Sequence, residues 1–168
     1  MISAPQLLSA DHTLTGFDCG KASLNEWLVK RALRAQKIGG SARTFVVVNS
    51  INEVVAYYSL STCSINREDA SGKVKRNMPD PIPVILIGRL AVDLKFKNCG
   101  IGTALLKDAL LRVVAAAHEI GVRAVIVHVL DSIAQKFYSY HGFCESPTNE
   151  RTLMITLEEI SRLLDKHQ

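Results

Sequence analysis

A glycine-containing loop is the part of this 168-residue chain best suited to binding an anion. The stretch Leu90–Leu106 has the sequence LAVDLKFKNCGIGTALL, which predicts a buried strand, a short loop and the start of a helix. Backbone N–H groups at such a helix start attract phosphate, and glycine keeps side chains away from them. We therefore expect a phosphate site formed by Lys97, Asn98, Cys99, Gly100, Ile101, Gly102 and Thr103.

A tyrosine about 35 residues further on is the candidate general acid. Ala134–Phe143 has the sequence AQKFYSYHGF, and its Tyr138 carries a phenol that stays protonated at neutral pH. A protonated phenol can donate a proton to a leaving group as a bond breaks. Tyr140 is a weaker candidate, because two residues along a helix turn a side chain about 200° away. From this pattern alone, a packing role for Tyr138 is the more frequent outcome.

No general base is evident in the sequence. The histidines are scattered and none has a catalytic spacing: His12, His118, His128, His141 and His167. An α-amino group has a pKa of about 7.7, whereas a lysine side chain has a pKa of about 10.4. If the chain acts on an amine, the missing base favours an α-amine, which can attack without one.

These two segments resemble motifs of the GNAT-fold N-acetyltransferases. The loop resembles the acyl-CoA motif [RQ]-x-x-G-x-[GA], with Lys97 in place of the arginine or glutamine. The second segment resembles the signature A-x-x-F-Y-x-x-x-G-F. Ala42–Val48 and Lys75–Asp93 further resemble TacT-type toxins of bacterial toxin–antitoxin pairs, and the likeness runs from about Pro5 to Thr156.

The resemblance implies acetyl-CoA as the cofactor and assigns roles to individual residues. The strand residues Leu90, Ala91 and Val92 would pair with the pantetheine arm, near a bulge that splays two parallel strands. The N–H of Val92 would polarise the thioester carbonyl, and Tyr138 would face the sulfur. Asp131 and Ser132 would partly replace an asparagine that contacts the carrier in many relatives.

The resemblance also implies a substrate and partners. The chain would acetylate the α-amino group of aminoacyl-tRNA and so block translation. It would be a homodimer, inhibited by a ribbon-helix-helix antitoxin, and would meet DNA only through that complex. Two alternatives stay open: an acetyltransferase for a small amine or a protein N-terminus, and a non-catalytic subunit.

Clustered basic residues are the candidate RNA contacts. The net charge is +4, which mildly favours an anionic partner. We expect phosphate contacts, without reading of base sequence, from Lys30, Arg34, Arg43, Lys75, Arg76 and Arg89. For the helical cluster alone, a solvated helix face is the more frequent explanation.

The length fits one domain over residues 1–168, and the order of elements predicts an α/β fold with a mixed central sheet and helices on both faces. The resemblance implies that this domain is a GNAT domain. The four cysteines have no metal-binding or disulfide-like spacing, so we expect reduced thiols and no metal. No signal peptide or membrane-spanning run is evident, which predicts a cytoplasmic protein.

The elements that position these residues follow from hydrophobic spacing. Two S/T-x-x-E capping boxes are predicted, Ser23 with Glu26 and Thr156 with Glu159. The predicted helices are 23–38, 102–120, 132–141 and 157–166, and the predicted strands are 43–49, 54–61, 84–93, 124–129 and 151–156. The strand 84–93 is expected at the centre of the sheet, and 66–83 is expected to be irregular.

Overall fold

The computed structural model describes residues 1–166, and these form seven strands and six α-helices. The strands are β1 (Gln6–Leu7), β2 (Arg43–Val48), β3 (Val54–Ile65), β4 (Ile82–Val92), β5 (Ala124–His128), β6 (Cys144–Glu145) and β7 (Thr152–Thr156). The helices are α1 (Ala22–Lys30), α2 (Ala32–Lys37), α3 (Gly72–Lys75), α4 (Ile101–Ala117), α5 (Ser132–Tyr140) and α6 (Leu157–Asp165).

Hydrogen-bonded neighbours follow the order β1-β2-β3-β4-β5-β7-β6, so the sheet is mixed and β4 is its central strand, as predicted. The chain divides into two compact units by its internal contacts. The first unit contains Met1–Ser61 and Gly88–Ala109, and the second contains Thr62–Ile87 and the residues from Leu110 onward. Strands β3 and β4 and helix α4 each contribute residues to both units.

The first unit is built on an antiparallel ladder. Strand β1 pairs with β2, and β2 pairs with β3 from Arg43↔Leu60 onward. Helices α1 and α2 supply Leu28 and Ala32, which are fully buried, to a core cluster. The other buried members of that cluster are Leu8, Phe17, Cys19, Val46, Val48, Val54, Tyr57 and Ala91.

The second unit combines parallel and antiparallel pairing. Strand β4 is parallel to β5 over Val84–Ile87, and β7 pairs antiparallel with both β5 and β6. Its core cluster contains the buried residues Ala70, Val74, Ile82, Val84, Ala124, Ile126 and Met154. Helix α6 buries Ile160 completely, so its apolar side packs within this unit.

The predicted helix 23–38 is wrong in two respects. It is broken at Arg31, whose φ of −125° is not helical. The predicted capping box of Ser23 and Glu26 is also absent, because the helix begins at Ala22 and no side chain caps it. The Asn25 side chain instead accepts the Cys19 N–H at 2.8 Å and donates to Asp18 at 2.9 Å, which fixes the entry to the helix.

The other element predictions are confirmed with small shifts. The capping box of Thr156 and Glu159 is present at the start of α6. Strand β3 runs four residues beyond the prediction, and the segment expected to be irregular contains α3 and a 3₁₀ turn at Arg67–Asp69. The two-residue strands β1 and β6 were not predicted, because pairs so short carry no periodicity.

Candidate active site

The strand, loop and helix predicted around the two glycines are present in the first unit. Strand β4 ends at Val92, a 3₁₀ turn covers Leu94–Phe96, and α4 begins at Ile101. Asn98 and Gly100 have φ values of 61° and 79°, which turn the exposed loop toward the helix start. A Cβ at Gly100 would have no neighbour within 4 Å, so the space beside this backbone is open.

The start of α4 has the electrostatics of an anion site. Ile101 is buried and anchors the first turn, whereas Lys97, Cys99 and Thr103 are exposed. The first N–H groups of a helix have no helical carbonyl to pair with, and the helix dipole places positive charge there. The first turn contains no acidic residue that would offset this charge. The loop predicted to bind the cofactor, from Lys97 to Thr103, therefore leads into a helix start with no acidic residue in its first turn.

Asp93 is a positioning residue that the sequence reasoning missed. Its carboxylate is 7% exposed and accepts two backbone N–H groups, from Asp18 at 3.0 Å and from Lys95 at 2.9 Å. The Leu94 N–H also donates to the carbonyl of Asp18 at 2.8 Å. These bonds fix the path of the chain from β4 into the loop. The available signal was an aspartate directly before a turn, a residue type that caps such turns.

Alternation along the strand directs the Val92 N–H away from β3. The next N–H, that of Asp93, donates to the carbonyl of Val55 at 2.8 Å, and successive N–H groups of a strand point to opposite edges. Val92 also lies five residues beyond Ile87, where the parallel register with β5 ends. Leu90 and Ala91 precede it, with Ala91 buried in the core cluster.

Tyr138 lies in the second unit, on α5, and is 7% exposed. Its ring makes edge contacts with Phe137 and Phe143, at centroid distances of 5.1 Å and 5.2 Å. Among the described residues, the hydroxyl makes no hydrogen bond, and burial raises the pKa of Tyr138 above its ordinary value. Tyr138 is therefore a protonated phenol whose O–H group has no hydrogen-bond acceptor among the described residues. Tyr140, the weaker candidate, is 86% exposed.

Asp131 caps α5 with its side chain. Its Oδ1 accepts the Ala134 N–H at 2.8 Å, and Ser132 is the exposed first residue of the helix. The resemblance implied that both residues partly replace an asparagine that contacts the carrier. The carboxylate of Asp131 is therefore engaged in capping, and its charge disfavours a phosphate close by.

The described histidines are engaged in local hydrogen bonds, cap a helix or are exposed. The His128 ring Nδ1 lies 2.9 Å from the Thr152 hydroxyl, and His12 bonds within its own loop. His141 is the C-terminal cap of α5, and burial lowers its pKa. His118 is exposed, and His167 lies outside the described residues.

Four of the predicted RNA contacts lie in the first unit. Lys30 forms a 2.7 Å ion pair with Glu26, and Arg34 is exposed. Arg43 is exposed and donates to the carbonyl of Gln36 at 2.9 Å. Arg89 is half-buried, with its guanidinium 4.0 Å from the centre of the Trp27 ring.

The other two predicted contacts, Lys75 and Arg76, lie in the second unit beside α3. Two further arginines hold this segment by its carbonyls. Arg67 donates to Lys75 and Met78 at 2.6 Å, and Arg123 donates to Val74 at 3.0 Å and to Lys73 at 2.6 Å. Arg76 is exposed and Lys75 is half-buried on this fixed backbone.

Residues 1–166 contain neither a candidate metal site nor a candidate membrane-spanning helix. No group of three or more histidine, cysteine, aspartate or glutamate side chains is arranged to hold a metal ion there. Within the same residues, no helix has both the length and the apolar character needed to cross a membrane.

The chain belongs to the GNAT acetyltransferase family. The family model described as "Acetyltransferase (GNAT) domain" matches residues 40–145, which confirms the resemblance given by the glycine loop and the aromatic signature.

More specific relatives are toxins. A tRNA-acetylating toxin of Mycobacterium tuberculosis (strain ATCC 25618 / H37Rv) is 44% identical over 162 residues, covering 96% of each chain. AtaT complexed with acetyl-methionyl-tRNAfMet matches with a TM-score of 0.88 and 26% identity, covering 98% of this chain and 99% of that one. A variant AtaT toxin bound to the C-terminus of the antitoxin AtaR and acetyl-CoA matches with a TM-score of 0.83 and 26% identity, covering 97% and 98%.

Proposed function

We propose that this protein is a toxin that transfers an acetyl group from acetyl-CoA to the α-amino group of aminoacyl-tRNA and thereby blocks translation. The observation that carries the proposal is the 44% identity to a tRNA-acetylating toxin over nearly the whole of both chains. The structural likeness to AtaT with an acetylated methionyl-tRNA supports the same substrate class.

The loop residues fit the phosphates of acetyl-CoA. Gly100 leaves open space beside the backbone, and the first turn of α4 offers N–H groups without a competing carboxylate. Lys97 is exposed and adds a point charge, although it lacks the two-pronged donor of arginine. Asn98, Cys99, Ile101, Gly102 and Thr103 complete the proposed binding loop.

Acetyl-CoA supplies an acetyl thioester when it is bound. Leu90 and Ala91 would offer backbone groups to its extended arm, as an added strand does. The Val92 N–H would donate to the carbonyl oxygen as negative charge develops there, which is the role of an oxyanion donor. Its direction away from β3 supports this assignment. Asp131 and Ser132 stay proposed contacts of the carrier, with Asp131 the weaker because it caps α5.

Tyr138 would act as the general acid. The amine nitrogen would form a bond to the acetyl carbon as the carbon–sulfur bond breaks, and the phenol would give its proton to the departing thiolate. The attacking nitrogen loses its own proton to water, so no base is required for an α-amine. Burial keeps Tyr138 protonated over the whole physiological range, because it raises the pKa.

The cationic residues would hold the RNA through its phosphates. The proposed contacts are Lys30, Arg34, Arg43, Lys75, Arg76 and Arg89, of which Lys30 is already paired with Glu26. Contacts of this kind give affinity that falls with salt and does not depend on base sequence.

The proposed setting is a bacterial toxin–antitoxin pair in the cytoplasm. We propose a homodimer inhibited by a ribbon-helix-helix antitoxin, with DNA reached only through that complex. The AtaT variant bound to the C-terminus of its antitoxin supports the existence of such a partner.

A transfer assay tests the proposed function. In parallel reactions, the protein is incubated with labelled acetyl-CoA and one class of acceptor. The acceptors are bulk charged tRNA, free amino acids, small amines and peptides with free N-termini. We expect label on the aminoacyl end of charged tRNA and none on tRNA stripped of its amino acids. Transfer to free amines or peptides alone would replace this proposal with the small-amine or N-terminal alternative, and failure to bind acetyl-CoA would favour a non-catalytic subunit.

A further inference from the structure

An aromatic pair in the first unit supports the guanidinium of Arg89. Its Cζ atom lies 4.0 Å from the centre of the Trp27 ring. The Trp27 ring stacks in turn on Tyr57, with centroids 6.0 Å apart and planes 14° from parallel. Tyr57 is fully buried, and its hydroxyl donates to the carbonyl of Leu24 at 2.7 Å. This fixed ring beneath Trp27 restricts the position of Trp27 and hence of Arg89.

Arg89 lies beside the hydrophobic core of its unit. Residues two apart on a strand share a face, so Arg89 of β4 lies on the same side as Ala91, a buried member of the core cluster. Trp27 packs against the same cluster from α1. The arginine is half-buried as a result, with its charged end on an aromatic ring and part of its surface open to solvent.

Within the described part of the chain, no anionic group pairs with this guanidinium. Among residues 1–166, Arg89 has neither an ion pair nor a hydrogen bond, although it carries five N–H donors. Burial is the main factor that lowers the pKa of Arg89, and the like charge of Arg31 lowers it further. A bound anion would stabilise a partly desolvated cation that also feels the charge of a second cation.

We propose that Trp27 and Arg89 form a binding site for one phosphate of the RNA substrate, in which Trp27 positions the guanidinium and Arg89 makes the contact. This inference rests on the proposed function and deepens it, because it names one phosphate site and a residue that holds it ready. A guanidinium offers two parallel donors to phosphate, and its fixed position reduces the entropy lost on binding. The proposed cofactor phosphates have their own site at the start of α4, so an RNA phosphate is the favoured ligand.

The first experiment measures binding without any acetyl transfer. The dissociation constants of Arg89→Met and wild type are compared for uncharged bulk tRNA at several salt concentrations, and for acetyl-CoA by calorimetry. We expect Arg89→Met to weaken tRNA binding about tenfold, the usual loss for a hydrogen bond to a charged group. The slope of log affinity against log salt should become shallower by about 0.7, the value for one contact to a single strand. Acetyl-CoA affinity should not change.

Arg162→Met is the matched control. The side chain of Arg162 is 72% exposed on α6 and lies 3.9 Å from Glu158, so its removal deletes one exposed positive charge that is not among the proposed RNA contacts. We expect its tRNA affinity and salt slope to equal those of the wild type.

The second experiment tests the positioning role of Trp27 by a double-mutant cycle. Trp27→Phe keeps an aromatic ring over Tyr57 but gives a weaker cation–π contact, and urea unfolding verifies that each variant is folded. We expect Trp27→Phe to weaken tRNA binding about threefold when Arg89 is present and to have no effect in the Arg89→Met background. Arg89→Lys should keep the wild-type salt slope, because the positive charge remains. Its tRNA affinity should stay reduced, because lysine neither stacks on the Trp27 ring nor offers two parallel donors to a phosphate.

Three results would overturn the inference. Equal effects of Trp27→Phe in both backgrounds would make Trp27 a packing residue only. A loss of acetyl-CoA affinity in Arg89→Met would assign the guanidinium to a cofactor phosphate, and wild-type tRNA affinity in that variant would remove the contact. Failure of the proposed function is recognised separately, as wild-type protein that binds tRNA and leaves charged tRNA unacetylated.

Discussion

Replacing Tyr138 with phenylalanine removes a single oxygen atom and leaves a ring packed against Phe137 and Phe143. The hydroxyl makes no hydrogen bond among the described residues, so the fold loses no polar contact. We expect the free energy of unfolding to change by less than about 1 kcal/mol. Positioned general acids contribute about 10² to 10⁴ in rate, which corresponds to about 3–5 kcal/mol in the barrier. The expected catalytic loss is therefore several times the expected change in stability.

The assay follows single-turnover acetylation of charged tRNA with acetyl-CoA in excess. The rate constant of Tyr138→Phe should fall by at least a hundredfold, while its dissociation constant for acetyl-CoA and its urea midpoint stay near the wild-type values. Tyr140→Phe is the matched control, because it removes the same atom from a side chain that is 86% exposed on the same helix. Its rate constant should not change.

Two results would refute this reasoning. A Tyr138→Phe rate constant within threefold of the wild type would mean that the phenol gives no proton to the thiolate. A large loss accompanied by an equally large loss of folded protein would mean that the hydroxyl serves the structure and not the reaction.

Three further predictions concern pH, the loop and the last helix. Burial raises the pKa of Tyr138 above about 10, so the acid stays protonated through the alkaline range. We therefore expect kcat/KM to rise to about pH 8, as the acceptor amine deprotonates, and then to stay level to about pH 9.5. A fall in kcat/KM on the alkaline side before that pH would contradict the role of Tyr138. Gly100→Ala should lower the unfolding free energy by about 1 kcal/mol, because its φ of 79° is costly for alanine, and should weaken acetyl-CoA binding; Gly121→Ala, with open space and no positive φ, is the control in both urea unfolding and calorimetry. Thr156→Ala should cost about 1 kcal/mol in urea unfolding because it breaks the capping box of α6, and Thr156→Ser should restore most of it.

The glycine loop and the last helix were predictable because their causes are local. A helix start after glycine, an apolar stripe along α4 and the capping pair of Thr156 and Glu159 each depend on residues close together in sequence. The break at Arg31 was not predictable in this way. Helical periodicity continues through that residue in sequence, whereas its backbone angles are not helical in the folded chain.

For the candidate site residues, the sequence identified the residue types but not the groups that surround and contact them in the fold. Asp93 receives N–H groups from Asp18 and Lys95, and the first of these is 75 residues distant in sequence. Arg123 resembles the other basic residues in sequence, yet it holds the carbonyls of Lys73 and Val74. Contacts over such separations depend on how strands and helices pack.

By itself, the sequence determined most of the longer helices and strands, the strand, loop and helix around the two glycines, and the family, since each is encoded in short spacings. Only the tertiary structure decided that Tyr138 is buried and that Arg89 lies on Trp27. It also decided that, among residues 1–166, the Tyr138 hydroxyl has no hydrogen-bond partner and Arg89 has no anionic partner. Burial and pairing are properties of what surrounds a side chain in space, and residues far apart in the chain supply those surroundings.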